Sequence, residues 1–154
     1  MTGYPITLKE EDDGTWLVDF PDFPECHTFG DDRAGALKYA IDALDTALFG
    51  RMIDKEDVPA PSPARGRPVV RPTLQMALKA LVYQAMRDGG VRKVDMRRRL
   101  DWSPTQVERL LSPRHASRLT QFDVAAEALG IVIDVSASPA PRRQTRSPAG
   151  AAAE

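Results

Sequence analysis

Side chains that could serve as nucleophiles, metal ligands or general acids are spaced unfavourably for catalysis in this sequence. Cys26 and His27 are adjacent, and adjacent side chains on a strand point to opposite faces, so both cannot easily act on one substrate atom. The carboxylates of Glu10–Asp13 and Asp54–Asp57 are expected in a hairpin turn and after a helix, where charge is normally solvated. Cys26 is the single cysteine, which excludes an internal disulfide and a zinc site of paired cysteines. We therefore predict no enzyme, no metal site and no cofactor.

A second group of polar residues has the types and spacing needed to bind DNA. Thr105, Gln106 and Arg109 are expected on the outward face of a helix that Ser103 begins. Glutamine can pair with adenine, arginine with guanine, and threonine can touch a thymine methyl group. The residues expected to contact phosphates are Lys93, Arg98, Arg114 and Arg118. The alternative interpretation is a plain helical bundle with a solvated basic face.

The elements that would position these residues form a helix-turn-helix. Met96 and Leu100 lie on one face of a first helix, and the apolar face of the second contains Val107, Leu110 and Leu111. Ser103-Pro104 is a good helix start, because the hydroxyl caps the helix and proline loses nothing at its first position. Two residues depart from the usual pattern, since Arg97 replaces a small residue and Asp101 replaces the glycine of the turn. Aspartate tolerates the left-handed conformation better than most residues.

The N-terminal part of the sequence predicts a small antiparallel sheet covered by a helix. Residues 4–9 and 15–20 are two short strands joined by a turn that contains Asp13-Gly14, which is a strong hairpin signal. Cys26–Phe29 could return as a third strand, after an irregular connection at residues 22–25. A helix capped by Asp31 or Asp32 then carries an apolar stripe and ends at Gly50. The stripe is made of Leu37, Ile41, Leu44 and Leu48.

The remaining segments complete a prediction of two domains in the α+β class. Residues 1–57 form the first domain, and the proline-rich segment 58–72 is a semi-rigid linker in which Val69-Val70 can add an edge strand. Residues 73–136 form an all-α domain with a C-terminal strand at Ile131–Val135. Residues 137–154 are rich in Ser, Ala, Pro and Arg, which indicates a disordered tail.

Charge divides along the same boundary. Residues 1–58 contain 5 Lys/Arg and 14 Asp/Glu, whereas residues 59–154 contain 16 Lys/Arg and 8 Asp/Glu. The net charge of −1 therefore hides an acidic part of −9 and a basic part of +8. An acidic surface suits a basic partner and a basic surface suits nucleic acid phosphates. The alternative is that both surfaces serve only solubility.

These features together resemble the HicB-type antitoxins. The similarity covers Tyr4-Pro5-Ile6 and Glu11–Asp31, with two strands, a Pro-Asp-x-Pro loop and a Thr-x-Gly-Asp helix start followed by an Ala/Leu-rich helix. Beyond the linker, Lys79–Arg87 and Leu110–His115 resemble the helix-turn-helix subgroup of that family. The resemblance implies a partial RNase H-like N-terminal fold without nuclease activity. It also implies binding to HicA, a small basic ribonuclease that cleaves mRNA, and repression of the operon through the DNA-binding half.

The resemblance and the charge pattern give the expected partners and contacts. We expect the toxin to contact three acidic residues with two flanking phenylalanines, namely Asp19, Phe20, Asp22, Phe23 and Glu25. The alternative for the phenylalanines is core packing. The C-terminal domain is expected to form a homodimer or higher homo-oligomer on operator DNA. Strand pairing between subunits would use Ile131, Ile133 and Val135, although pairing within one chain is the alternative. We expect a cytoplasmic protein with no membrane contact.

The predicted helix-turn-helix also fits a protein of a different functional class. The chain could be a stand-alone helix-turn-helix transcriptional regulator whose N-terminal domain senses a small ligand. A neighbouring short gene that encodes a basic protein of well under about a hundred residues would favour the antitoxin.

Overall fold

The computed structural model describes residues 3–137, which fold into five strands and five helices. The strands are β1 (Tyr4–Pro5), β2 (Thr7–Glu10), β3 (Trp16–Phe20), β4 (Phe23–Gly30) and β5 (Val69–Val70). The helices are α1 (Arg33–Ile53), α2 (Leu74–Asp88), α3 (Lys93–Leu100), α4 (Pro104–Leu111) and α5 (Leu119–Leu129). Strands β2, β3 and β4 form one antiparallel sheet in that order, and β1 pairs with β5 in a second. The α+β class is therefore confirmed.

The β2–β3 hairpin is confirmed, with a longer turn than a two-residue Asp-Gly loop. The backbone N–H of Glu11 donates to the carbonyl of Thr15 at 2.8 Å, and the N–H of Gly14 donates to the carbonyl of Glu11 at 2.9 Å. Gly14 has φ +86°, a conformation that glycine adopts without steric cost. Asp13 accepts a hydrogen bond from the backbone N–H of Thr15 at 2.9 Å. The turn therefore needs glycine at position 14, and aspartate at position 13 stabilises it.

Strand β4 begins earlier than the sequence predicts. Residues 23–25 belong to the strand, whereas we expected an irregular connection there. Proline at position 24 is tolerated because β4 lies at the edge of its sheet, where a missing N–H breaks no ladder. The pairing of β3 with β4 shifts register between Asp19 and Phe20, so Phe20 lies opposite Phe23. This bulge decides which side chains face the core.

Helix α1 covers the inner face of the sheet. Asp32 caps it by accepting a hydrogen bond from the N–H of Gly35 at 2.6 Å, and the helix continues through Gly50 to Ile53 instead of ending at the glycine. Its fully buried residues are Ala36, Ala40, Leu44, Leu48 and Met52, so the stripe is rotated from the predicted one. Leu37 and Ile41 are only half-buried. Small alanines let the helix approach the sheet closely.

Residues 58–70 remain in contact with the N-terminal strands. Val70 pairs with Tyr4 in the β1–β5 ladder, which confirms the predicted edge strand at Val69–Val70. The hydroxyl of Tyr4 donates to the carbonyl of Pro59 at 2.9 Å. The N–H of Ile6 donates to the carbonyl of Pro68 at 2.9 Å. Much of this proline-rich segment is therefore anchored at several points along its length.

Helix α2 connects the two parts of the chain. Thr73 caps α2 and binds Asp45 of α1 twice, through its N–H at 3.0 Å and its hydroxyl at 2.7 Å. Tyr83 donates its hydroxyl to the carbonyl of Glu56 at 2.9 Å. Arg87 forms an ion pair with Asp57 at 2.7 Å. On its other side α2 packs against α4 and α5, so one helix contacts both parts.

The predicted C-terminal strand is wrong for the single chain. Residues 131–137 form no strand, because in the described part of the chain no other strand lies beside them to complete a ladder. Ile131 and Ile133 are half-buried, whereas Val132 and Val135 are 85% and 74% exposed. Arg142 and the rest of the tail from residue 138 lie outside the described residues.

The turn between α3 and α4 gives a direct stability prediction. Asp101 ends α3 with φ +51° and ψ +42°, in the left-handed region where glycine is usual. Replacing Asp101 by glycine should raise the free energy of unfolding by about 0.5–1 kcal/mol, because the Cβ no longer crowds the backbone. Asp101→Val should lower it, since a β-branched residue is strained there. Urea denaturation of the three proteins tests the order, and a valine variant as stable as the glycine variant would contradict it.

Candidate partner and nucleic-acid surfaces

The outer face of the three-stranded sheet carries two neighbouring pairs of side chains on β3 and β4. The strand register places Leu17 opposite Phe29 and Asp19 opposite His27, and alternation points all four away from α1. Asp19, His27 and Phe29 are exposed, and Phe29 is 62% exposed although it is aromatic. A large exposed ring beside a carboxylate has the make-up of an interface anchor. Phe29 was not among the contacts predicted from the sequence, although its position two residues after His27 could have indicated the outward face.

Phe20 and Phe23 are core residues, so their assignment as partner contacts is corrected. Both rings are buried, because the β-bulge turns Phe20 and Phe23 to the same inner face. The ring of Phe23 meets that of Tyr4 edge-on at 4.9 Å between centroids. Its other neighbour is the guanidinium of Arg51, at 5.2 Å from the ring centroid. Neither phenylalanine has a surface that a partner could reach in the folded chain, and the core-packing alternative holds.

The three acidic residues expected at the partner surface differ in their exposure and in the bonds they already make. Asp19 is exposed. Asp22 is half-buried and accepts a hydrogen bond from the N–H of Ser62 at 3.0 Å, so it holds the proline-rich segment in place. Glu25 is exposed but forms a two-pronged ion pair with Arg51, at 2.8 and 3.1 Å. Hydrogen bonding from Arg51 lowers the pKa of Glu25 below its usual value.

A groove of about 810 Å³ runs between β4 and α1. In the described part of the chain β4 pairs only with β3, so the backbone of its other edge is unpaired where the groove begins. The carboxylates along the groove are Glu25, Asp42, Asp54 and Glu56. They outnumber the cations, since Arg51 is the only lysine or arginine among the described residues that line the groove. An unpaired strand edge beside an acidic groove can accept an extended basic segment.

The start of α4 is closed by two reciprocal hydrogen bonds. The hydroxyl of Ser103 accepts from the N–H of Gln106 at 3.3 Å, and the side-chain oxygen of Gln106 accepts from the N–H of Ser103 at 2.8 Å. This capping box confirms the predicted helix start and stabilises the first turn. It also engages the amide oxygen that a bidentate contact with adenine needs. Gln106 would have to leave its cap to make the adenine contact that the sequence suggested.

The other side chains expected at DNA lie on α3 and α4 or in the connection after α4. Thr105 and Arg109 are exposed on α4. The cations Arg98, Arg114 and Arg118 are also exposed. Lys93 binds both carboxylate oxygens of Glu108 at 2.9 Å, but this pair is exposed to water and such pairs contribute at most about 1 kcal/mol. A phosphate group can therefore compete with Glu108 for Lys93.

Lys79 of α2 is the one charged or polar residue that is completely buried in the described part of the chain. Its ammonium donates to the carbonyls of Leu110 and Arg109 at 2.8 and 3.2 Å, and to the hydroxyl of Ser117 at 2.9 Å. The ring of Phe122 lies 5.7 Å from the same nitrogen. Desolvation by burial lowers the pKa of Lys79 to about 8. Lys79 was not predicted as a functional residue, since its apolar neighbours in the sequence indicate only a buried helix face.

The lowered pKa predicts the pH dependence of stability. Between the folded pKa of about 8 and the ordinary value of 10.5, the unfolded chain holds a proton at Lys79 that the folded chain has released. The free energy of unfolding should therefore rise with pH across this window, by up to about 3 kcal/mol relative to Lys79→Met. Urea denaturation of both proteins from pH 7 to pH 10.5 measures the difference, and a difference that stays constant would contradict the assignment.

The position of Cys26 is that of a core residue. Cys26 is buried, and desolvation raises the pKa of its thiol to about 11. Within residues 3–137, no three His, Cys, Asp or Glu side chains are grouped closely enough to hold a metal ion. None of the helices in that range combines the length and the apolar composition needed to cross a bilayer.

The chain is similar to known proteins over most of its length. The profile of a family described as "HicB_like antitoxin of bacterial toxin-antitoxin system" matches residues 3–81. "Antitoxin HicB 1" of Photorhabdus laumondii subsp. laumondii is 34% identical over 133 residues, which cover 86% of this chain and 85% of that protein. "Antitoxin HicB" of Escherichia coli (strain K12) is 33% identical over 128 residues, covering 82% and 93%. "Antitoxin HicB" of Pseudomonas fluorescens (strain Pf0-1) is 31% identical over 142 residues, covering 90% and 97%.

Proposed function

This chain belongs to the HicB-like antitoxin family of bacterial toxin–antitoxin systems, and on that premise we propose that it neutralises a HicA-type mRNA-cleaving toxin and represses its own operon by binding DNA. The N-terminal sheet and α1, with the partial RNase H-like fold expected for the family, contact the toxin. Helices α2–α5 contact the operator. The acidic groove beside the unpaired edge of β4 is the observation that carries the first half of the proposal.

The toxin contact is centred on β4. Phe29 supplies an apolar anchor and Asp19 a neighbouring charge on the outer face, while the carboxylates of the groove attract a cationic partner to the strand edge. Complementary charge speeds the encounter and excludes acidic competitors, whereas the buried anchor supplies most of the affinity. Of the contacts expected from the sequence, Asp19 and Glu25 remain in this proposal.

Co-expression with the neighbouring small basic protein tests the antitoxin half. The complete chain should copurify with that protein and restore the growth of cells that express it. The groove is tested with a variant in which Asp42 and Asp54 are changed to lysine, which reverses charge on the rim of the groove at two exposed positions. This variant should bind at least about tenfold more weakly, because like charges would then face the toxin. Equal binding by the variant would remove the groove from the contact surface.

The DNA half rests on the exposed residues of α4 and the cations around it. Thr105 and Arg109 face outward for base contacts, and Ser103 and Gln106 fix the start of the helix. We assign the phosphate contacts to Lys93, Arg98, Arg114 and Arg118. A homodimer or higher homo-oligomer would present two copies of α4 to a palindromic operator. Residues Ile131, Ile133 and Val135 could form its interface, since an unpaired apolar segment gains from a partner strand.

Single alanine substitutions should separate base contacts from phosphate contacts. Arg109→Ala should weaken operator binding by about 1–3 kcal/mol and leave binding to unrelated duplex nearly unchanged. Arg114→Ala should weaken binding to both duplexes and reduce the slope of log affinity against log salt concentration by about 0.9. Fluorescence anisotropy with the DNA upstream of the gene and with a scrambled duplex measures both. A uniform loss with Arg109→Ala would contradict its base-reading role.

One observation favours a second function. A groove of about 1060 Å³ lies between the end of α1, α2 and the helix-turn-helix, and its volume is in the range of small-molecule sites. Its apolar lining includes Phe49, Met52, Tyr83 and Met86. A stand-alone transcriptional regulator with a ligand-sensing N-terminal domain could use this groove. The absence of a toxic neighbour, together with operator binding that changes with a metabolite, would favour the regulator.

A further inference from the structure

A contact between α2 and the end of α4 holds several potential DNA ligands in one arrangement. The ammonium of Lys79 binds the carbonyls of Arg109 and Leu110 in the last turn of α4, and the hydroxyl of Ser117 in the connection to α5. Ser117 in turn donates its hydroxyl to the carbonyl of Arg109 at 3.3 Å. One buried nitrogen therefore joins three segments of the chain.

The same face of α2 provides a second tether one turn earlier. The side-chain amide of Gln75 donates to the carbonyls of His115 and Ser117, both at 3.4 Å. Gln75 and Lys79 are four residues apart and so lie on one side of the helix. Between them they bind the last turn of α4 and the connection at residues 112–118. That connection contains Arg114, and the last turn of α4 contains Arg109.

The lysine caps two carbonyls at the C-terminal end of α4. The last carbonyls of a helix have no partner in the helix and carry its negative dipole end. Many helices satisfy them with a left-handed glycine, but α4 ends at Ser112 in an extended conformation with ψ +127°. Lys79 satisfies two of these carbonyls from a neighbouring helix. Burying a lysine is costly, and an apolar residue of similar size would fill the same space without that cost.

We propose that Lys79 is a positioning residue for DNA recognition, which fixes the end of α4 and residues 112–118 on α2 so that Arg109 and Arg114 meet the operator together. The proposal rests on the DNA-binding half of the proposed function. Lys79 is completely buried and so touches no phosphate. It acts through the backbone of residues 109–117.

This role predicts a loss of sequence specificity, with an unchanged salt dependence of binding to the scrambled duplex. Without Lys79 the carbonyl of Leu110 loses its donor and that of Arg109 keeps only the hydroxyl of Ser117, so the end of α4 and the connection can move apart from α2. Specific binding needs several contacts in one register, whereas non-specific binding needs only positive charge near the backbone. Every surface cation keeps its charge, so binding to the scrambled duplex keeps its salt dependence, whereas the salt slope for the operator falls by up to about 0.9 when Arg114 no longer reaches its phosphate.

The test measures the affinity for operator and for scrambled duplex at several salt concentrations. It compares the unmodified chain with the variants Lys79→Met, Lys79→Arg and Ala80→Gly. Lys79→Met should lower the ratio of operator affinity to scrambled-duplex affinity at least tenfold, with an unchanged salt slope for the scrambled duplex. Lys79→Arg keeps donors at the same place and should recover part of the ratio. Ala80→Gly weakens α2 by about 1 kcal/mol without removing these bonds and should keep the wild-type ratio.

Three outcomes would overturn the proposal. A wild-type ratio in Lys79→Met would show that α4 needs no such tether. An equal fall of both affinities, matched by the folded fraction from circular dichroism and reproduced by Ala80→Gly, would show that Lys79 acts only on stability. If the wild-type chain itself prefers neither duplex, the DNA-binding half of the proposed function fails and Lys79 has no recognition to position.

Discussion

Phe29→Asp is expected to abolish neutralisation of the toxin while the chain stays folded. The ring is 62% exposed on the outer face of β4, so its loss removes no core contact. In the complex the ring would be desolvated against the toxin, and aspartate would place an unpaired carboxylate there. Central aromatic anchors cost about 2–4 kcal/mol when truncated, which corresponds to a roughly 30- to 1000-fold weaker complex. Biolayer interferometry with purified toxin measures the affinity, and growth of toxin-expressing cells measures protection.

The matched control for Phe29→Asp is Leu74→Asp. Leu74 is also 62% exposed, but it lies at the first position of α2, away from β4. An acidic residue is favourable in the first turn of a helix, so the control should fold normally. Leu74→Asp should neutralise the toxin as well as the unmodified chain does. If both variants protect cells equally, the outer face of β4 does not contact the toxin.

Phe23→Ala should cause the largest loss of stability among single substitutions in the N-terminal part. The ring is buried, meets the ring of Tyr4 edge-on at 4.9 Å and lies 5.2 Å from the guanidinium of Arg51. Removing a buried phenylalanine costs about 3–5 kcal/mol through lost burial and the cavity that remains. Phe29→Ala, on the same strand, should change the free energy of unfolding by less than about 0.5 kcal/mol.

Guanidinium denaturation followed by circular dichroism compares the two phenylalanine variants directly. A large shift of the midpoint for Phe23→Ala with little shift for Phe29→Ala would confirm that one phenylalanine of β4 faces the core and the other faces solvent. Equal shifts would mean that the strand register is different. Because Phe23→Ala can also reduce protection by unfolding, protection is interpreted only for variants with a wild-type midpoint.

Local signals in the sequence predicted the elements well but not the faces of the strands. The hairpin at Gly14 and the cap at Ser103 depend on residues within a few positions, and both were predicted. Phe20 and Phe23 were assigned to a partner surface because phenylalanines flanked by acidic residues are typical of interface anchors. The register shift between Asp19 and Phe20 places both rings in the core. The exposed aromatic residue of β4 is Phe29, which no local motif singled out.

The contacts that were not predicted join residues far apart in the sequence. Lys79 binds carbonyls 30 and 31 residues away, and a helical pattern gives no reason to bury a lysine until the position of α4 is known. The proline-rich segment was expected to be a spacer, but Pro59 and Pro68 accept hydrogen bonds from the N-terminal strands. The apolar pattern of residues 131–135 indicates a strand, but strand formation also requires a neighbouring strand. The single chain supplies none among the described residues.

The central claim is that this chain binds and inhibits the toxin of its own operon. The most direct measurement is the cleavage of a labelled mRNA by the purified product of the neighbouring small gene, titrated with the complete chain. We expect cleavage to stop at a fixed molar ratio, and the two proteins to elute together from a size-exclusion column. Undiminished cleavage at a large excess of the chain, with separate elution of the two proteins, would contradict the claim.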